Sequence, residues 1–207
     1  LAAFFPENEY YLFAPKITQR FSTDTFKNIK SISPQNFPYS FLRSAWRSSG
    51  VKKDLLTNNI DIYHGLSHEI PAGIQNTGIP SVVTMHDLIF ERYPHQYNKI
   101  DVLIYRKKFK HACRHANAII AISEQTKKDL QDLYKVPEEK IHVCYQSCDP
   151  IFAERISVEA KEKIRLLYNL PERYFLNVGS IIERKNLLTI CKAINQIKNS
   201  SSIPLVV

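Results

Sequence analysis

The sequence predicts an α/β fold built on a parallel sheet with flanking helices, and three observations carry that prediction. Short apolar runs rich in β-branched residues recur along the chain, the clearest being Ser81-Val-Val-Thr-Met85, with Pro80 barring a helix just before it. That run is continuous rather than alternating, as in strands covered on both faces. Between the runs stand segments whose apolar residues repeat at helical spacing, notably 99–116. His86 and Asp87 then fall just past the carboxyl end of the 81–85 run, at the sheet edge where loops converge on ligands. A histidine delivered there is a candidate for chemistry, set against the ordinary alternative of a satisfied loop histidine.

In chain order, 9–14 reads as a first strand closed by Pro15. From 16 to 53 eight lysines and arginines stand against one acid, Asp24, so nearly all of the chain's formal charge of +8 is local. Aromatic residues interleave there: Phe21, Phe26, Phe37, Tyr39, Phe41 and Trp46. Such a segment suits an anionic membrane surface, a nucleic acid, or simply a solvated face. No nucleic-acid module accompanies it, so nucleic acid is not an expected partner. Residues 40–57 read as a helix bent near Gly50, 60–64 as a strand, and 65–71 as its exit loop, which puts His64 and His68 near the same edge as His86.

Beyond 81–85, residues 89–94 read as a loop and 99–116 as a helix. Its Val102, Tyr105, Phe109, Ala112, Cys113 and Ala116 share a core face, and Lys107, Lys108, His111, Arg114 and His115 a solvated one. Residues 117–122 form a further strand, and Ser123 is the expected N-cap of a helix running to about 134. A strand over 141–145 follows, then the turn Gln146-Ser-Cys-Asp-Pro150. Past Phe152 come an amphipathic helix over 157–168, a strand over 174–178, a glycine turn, a helix from Asn186 to about 198, and a strand begun at 203. The basic pair Arg184-Lys185 before a helix start suits a diphosphate, because the helix start offers unpaired N–H groups and partial positive charge.

Composition narrows the class. At 207 residues, 44% hydrophobic and 23% charged, the chain holds one sizeable core or one and a half domains. No run approaches the roughly 20 apolar residues that span a bilayer, and Leu-Ala-Ala-Phe-Phe-Pro lacks the basic lead of a signal peptide. A cytoplasmic setting follows as the expectation, with reduced thiols on Cys113, Cys144, Cys148 and Cys191. His142, Cys144 and Cys148 could be drawn as zinc ligands, but the alternation of Ile141, Val143 and Tyr145 explains a strand more simply, so no metal site is expected. With five glycines there is no G-x-G-x-x-G or P-loop turn. The chain opens in what reads as a helix end and stops inside a strand, which reads as a fragment of a longer enzyme.

Three segments, in this order, resemble family 4 retaining glycosyltransferases of the two-Rossmann (GT-B) type. They are Ile79-Pro-Ser-Val-Val-Thr-Met-His-Asp-Leu-Ile-Phe-Glu-Arg-Tyr-Pro94, Ile119-Ile-Ala-Ile-Ser-Glu-Gln-Thr-Lys-Lys-Asp-Leu130 and Phe175-Leu-Asn-Val-Gly-Ser-Ile-Ile-Glu-Arg-Lys-Asn186. The resemblance covers about 55–200. It implies an N-terminal, acceptor-side Rossmann-like domain over 1–151 that lacks its first strand and helix. It further implies that 152–207 open a C-terminal nucleotide-sugar-binding domain with its first strand–helix unit.

The activity implied is a hexosyltransferase of polysaccharide biosynthesis. Such an enzyme moves a sugar, with retention, from a nucleoside diphosphate sugar to a hydroxyl of a glycan or lipid-linked acceptor, without metal or cofactor. By the same resemblance His86 is the catalytic-site histidine beside the donor sugar, and Gly179, Arg184 and Lys185 bind the donor. His64, Asp87 and Ser123 then line the acceptor side of the cleft, and peripheral contact at the inner membrane face is compatible with the basic segment. The family's glutamate pair would lie beyond Val207, so the fragment alone is expected to be inactive. Two departures stand out: Gln146–Pro150 replaces the usual Asn-Gly-Val-Asp, and Ser180 stands where relatives carry arginine. The competing reading is a non-enzymatic anion-binding module docking on membrane or nucleic acid through 16–53.

Overall fold

A computed structural model describes residues 1–17, 26–34, 42–197 and 203–207. The chain divides into two compact units, Leu1–Tyr145 and Gln146–Val207, a few residues before the 151/152 boundary drawn from the sequence.

The first unit is organised around four parallel strands in sequential order: β3 (Tyr63–Gly65), β4 (Ser81–Met85), β5 (Ala118–Ala121) and β6 (Ile141–Val143). Val83 lies beside Ile119, which lies beside Ile141, and all three are buried. Five helical stretches flank this sheet: α1 (Arg43–Ala45), α2 (Val51–Thr57), α3 (Ile89–Arg92), α4 (Lys99–His115) and α5 (Glu124–Tyr134). The bend expected near Gly50 is a π-helical turn, Trp46–Gly50, between α1 and α2. Leu55, Ile74, Met85, Ala112 and Leu130 are fully buried between helices and sheet.

Local chemistry sets the element ends. Asn98 caps α4 by accepting from the Ile100 N–H at 2.9 Å, and Ser123 caps α5 by accepting from the Thr126 N–H at 3.1 Å. Asn117 clamps the exit of α4 to the start of β4: its Oδ1 accepts from the Ser81 N–H, and its own N–H donates to the Ser81 carbonyl.

Several details depart from the sequence reading. The third strand begins at Tyr63, not Ile60, and takes in Gly65. The stretch read as a loop at 89–94 contains α3, whose Glu91 and Arg92 are tied to Arg106 and Asp129. A parallel pair, β1 (Tyr10–Phe13) with β2 (Ile29–Ile32), stands apart from the main sheet. β2 went unread because its middle residues Lys30 and Ser31 are exposed and its ends only half-buried.

The solvated face assigned to α4 is partly engaged, Lys108 pairing with Glu69 and His111 approaching the Pro71 carbonyl, while Tyr105 of the core face is 40% exposed. In the basic segment Lys30 pairs with Glu9 and Arg47 with Glu69, and Trp46 is buried, its Nε1 donating to Asp54 at 2.6 Å. Arg20, Phe21, Asp24, Phe37, Tyr39 and Phe41 lie outside the described residues.

In the second unit Ser157 caps α6 (Val158–Leu167), and β7 (Phe175–Leu176) pairs in parallel with β8 (Leu205–Val206). Between those strands a 3-10 turn, Glu183–Lys185, leads into α7 (Leu187–Gln196). The strand expected over 174–178 and the helix expected over 186–198 thus shorten to these cores, with residue 198 outside the described range. No helix among the described residues is long and apolar enough to cross a membrane.

Candidate functional site

The carboxyl ends of β3, β4 and β5 converge on His86. Its Nε2 lies 2.9 Å from the carbonyl of Leu66, in the loop leaving β3. A carbonyl only accepts, so His86 carries a proton on Nε2. The carbonyl of His86 accepts from the hydroxyl of Thr126, buried in the first turn of α5, at 3.0 Å, and its N–H donates to Nδ1 of His68 at 3.4 Å. The loop leaving β3 and the start of α5 therefore fix this one residue.

His68 holds the arrangement together from an unusual backbone. Its φ is +61°, a left-handed conformation uncommon outside glycine, and its N–H donates to the Thr84 carbonyl at 3.0 Å. The ring stacks on Phe109 at 4.9 Å and meets His86 edge-on at 5.1 Å. Burial, then the neighbouring His86, holds His68 below the ordinary histidine range, so its imidazole is neutral at pH 7 and its Nδ1 is an acceptor. The loop can fold this close only because residue 65 is glycine: a Cβ there would sit 2.2 Å from the Glu69 carbonyl oxygen.

Each residue singled out on the acceptor side is found at this edge. His64, within β3, has Nε2 2.8 Å from the Thr84 hydroxyl, and burial lowers its pKa. Asp87 is exposed and accepts from the Ile89 N–H at 3.1 Å, which starts α3. Ser123 caps α5, and its hydroxyl lies 3.0 Å from that of Thr126. Thr126 itself carried no signal beyond its place three residues after a cap, and His68 none beyond its exit-loop position.

Gly179, Arg184 and Lys185 share one loop of the second unit, between β7 and α7. Arg184 and Lys185 are exposed, and neither enters an ion pair among the described residues. Asn186 occupies the N-cap position as expected, but with φ +52° and no side-chain bond to the helix backbone. Its Oδ1 instead accepts from the Thr189 hydroxyl at 2.8 Å. The start of α7 thus has no side-chain cap, and two cations precede it.

Among the described residues no group of three or more His, Cys, Asp or Glu could hold a metal ion. Cys113 is buried, while Cys144, Cys148 and Cys191 are exposed, all four as free thiols.

A parallel sheet with flanking helices, followed by the opening strands and helices of a second unit, is the fold of GT-B glycosyltransferases. Residues 6–151 match the model of Glycosyltransferase Family 4, and the chain belongs to that family. Two solved structures share the fold. One is a glycosyltransferase from Rickettsia africae ESF-5 (TM-score 0.53, 17% identity, covering 98% of this chain and 60% of that one). The other is Anabaena Alr3699/HepE in complex with UDP and glucose (TM-score 0.54, 14% identity, covering 86% and 47%). The chain thus spans 60% or less of either. No curated protein matches it.

Proposed function

We propose that the protein transfers a sugar, of hexose type and with retention, from a nucleoside diphosphate sugar to a hydroxyl of a glycan or lipid-linked acceptor. The observation that carries this reading is His86, held at the carboxyl edge of the family-matched domain by Leu66, His68 and Thr126. A group fixed before substrate arrives costs no reorganisation during reaction, which is how polar sites stabilise developing charge. In this reading His86 lies beside the donor sugar, with His64, Asp87 and Ser123 on the acceptor side. The UDP and glucose held by the Anabaena protein are consistent with the proposed donor class.

The second half of the reading concerns the leaving diphosphate. As the glycosidic bond breaks, negative charge grows on its bridging oxygen, and Arg184, Lys185 and the N–H groups at the start of α7, beside Gly179, are the proposed counter-charge. Nothing in that assignment requires a metal or cofactor. We propose also that the 207 residues alone turn over donor weakly or not at all, since they span only part of either solved relative.

In the full-length protein, Lys185→Ala is expected to lower kcat/KM for the donor by about 10²–10³-fold, the usual loss on removing one such charge-stabilising group. Parental turnover in that variant refutes the donor assignment. A parental rate in His86→Ala returns that histidine to a purely structural role.

A further inference from the structure

We infer that a cavity beside His68 in the first unit is a subsite for an uncharged sugar ring of the acceptor, an inference resting on the glycosyl-transfer reading above. Its volume is about 350 Å³, within the usual small-ligand range of about 300–1,000 Å³. The loops leaving β3 and β4 give it Ser67, His68 and Asp87, so it opens at the edge that holds His86.

One side is aromatic. Phe90 packs against Phe109 at 4.7 Å and against Tyr105 at 5.7 Å, and Tyr97 meets Tyr105 edge-on at 6.4 Å and 87°. Tyr105 stays 40% exposed despite belonging to this cluster. Flat rings with hydroxyl tips offer an apolar face and a polar edge together, the complement of a pyranose, whose C–H bonds line one face and whose hydroxyls ring its rim.

The other side is charged but balanced. One oxygen of Glu69 receives Arg47 Nε at 2.6 Å and the other receives Lys108 Nζ, so a single carboxylate occupies both cations. Asp87 adds a second anion, and two positive charges face two negative ones. A phosphate or carboxylate ligand would find the cations already engaged and Asp87 repelling it. A cationic ligand would meet the same obstacle with the signs reversed. A polyol needs donors and acceptors without net charge, which is what this rim supplies.

Saturation-transfer NMR on the full-length protein tests the inference with methyl β-glucoside, methyl β-galactoside, methyl β-glucuronide and, separately, UDP as probes. Saturation should reach the ring C–H protons of a neutral glycoside. Tyr105→Ala should weaken that glycoside at least ten-fold, while Tyr105→Phe and Tyr145→Ala, at an exposed residue outside the cavity lining, leave it near parental. Absence of binding by either neutral glycoside overturns the subsite, as does tighter binding of the glucuronide, or equal loss in Tyr145→Ala. The two readings fail separately: glycoside binding without UDP binding supports the subsite and counts against the transferase, whereas UDP binding without glycoside binding overturns the subsite alone.

Discussion

Replacing Gly65 by alanine probes the loop that positions His86 without touching the histidine. The added Cβ would lie 2.2 Å from the Glu69 carbonyl oxygen, 3.2 Å from its carbon and 3.3 Å from Ile70 Cγ2. The first of these contacts is far inside any tolerated separation and its partner is backbone, so segment 65–69 must withdraw by about 1 Å. That segment carries the Leu66 carbonyl, 2.9 Å from His86 Nε2, and His68, whose Nδ1 receives the His86 N–H at 3.4 Å. A bond of 3.4 Å has no slack for such a shift.

Overpacking of this kind costs about 1–3 kcal/mol, and in a chain of this size each kcal/mol lowers Tm by about 2–4 °C. Misplacing a reacting group by about 1 Å costs on the order of 10²-fold in rate. The assay is thermal unfolding together with donor turnover in the full-length protein. Gly78→Ala is the control: φ is +78° but nothing lies within 4 Å of the added Cβ, so it should lose about 1 kcal/mol of stability and no activity. Parental Tm and kcat in Gly65→Ala would refute the claim that this close approach positions His86.

Stability should also fall with acid from near pH 6.5, for a reason traceable to His68. Its folded pKa lies below the unfolded value, so the unfolded chain binds more protons as pH drops, and the contribution present above about pH 6.5 is lost as pH falls toward the folded pKa. Tm measured from pH 7.5 to 5 should decline, and His68→Asn, which tolerates the left-handed backbone, should decline less steeply; an identical slope refutes the assignment. His64 and His115, also lowered by burial, should leave part of the slope in place. Thiol chemistry gives an independent check on the core. Burial pushes the Cys113 thiol up to about 12, so an alkylating reagent at pH 8 should label Cys144, Cys148 and Cys191 in the native protein and Cys113 only after unfolding, as peptide mass spectrometry would show.

What the sequence made legible is local. β4, α4, α5 and the Ser123 cap all rest on periodicity or on a hydrogen bond spanning three residues, and each stands where those signals put it. What it hid depends on partners distant in the chain. α3 is only four residues long and has no helical period of its own. It is pinned by Asp87 at its start and by ion pairs from Glu91 to Arg106 and from Arg92 to buried Asp129. Lys108, on α4, read as solvated because its partner Glu69 sits in the loop leaving β3, and β2 went unread because half-exposed strands carry a weak pattern.

The same division runs through the candidate site. Position at a strand's carboxyl end singled out His86, yet the partners that fix it, Leu66, His68 and Thr126, belong to other segments. Three of the residues expected beside it also have structural duties, Asp87 starting α3, Ser123 capping α5 and His64 meeting Thr84. Loss of activity in any of those three variants would therefore mix two causes, since a lost cap alone costs about 0.5–2 kcal/mol. Lys185 is the cleaner test: it is exposed and forms no ion pair among the described residues, so its removal disturbs little of the fold and any loss of turnover reports on the donor.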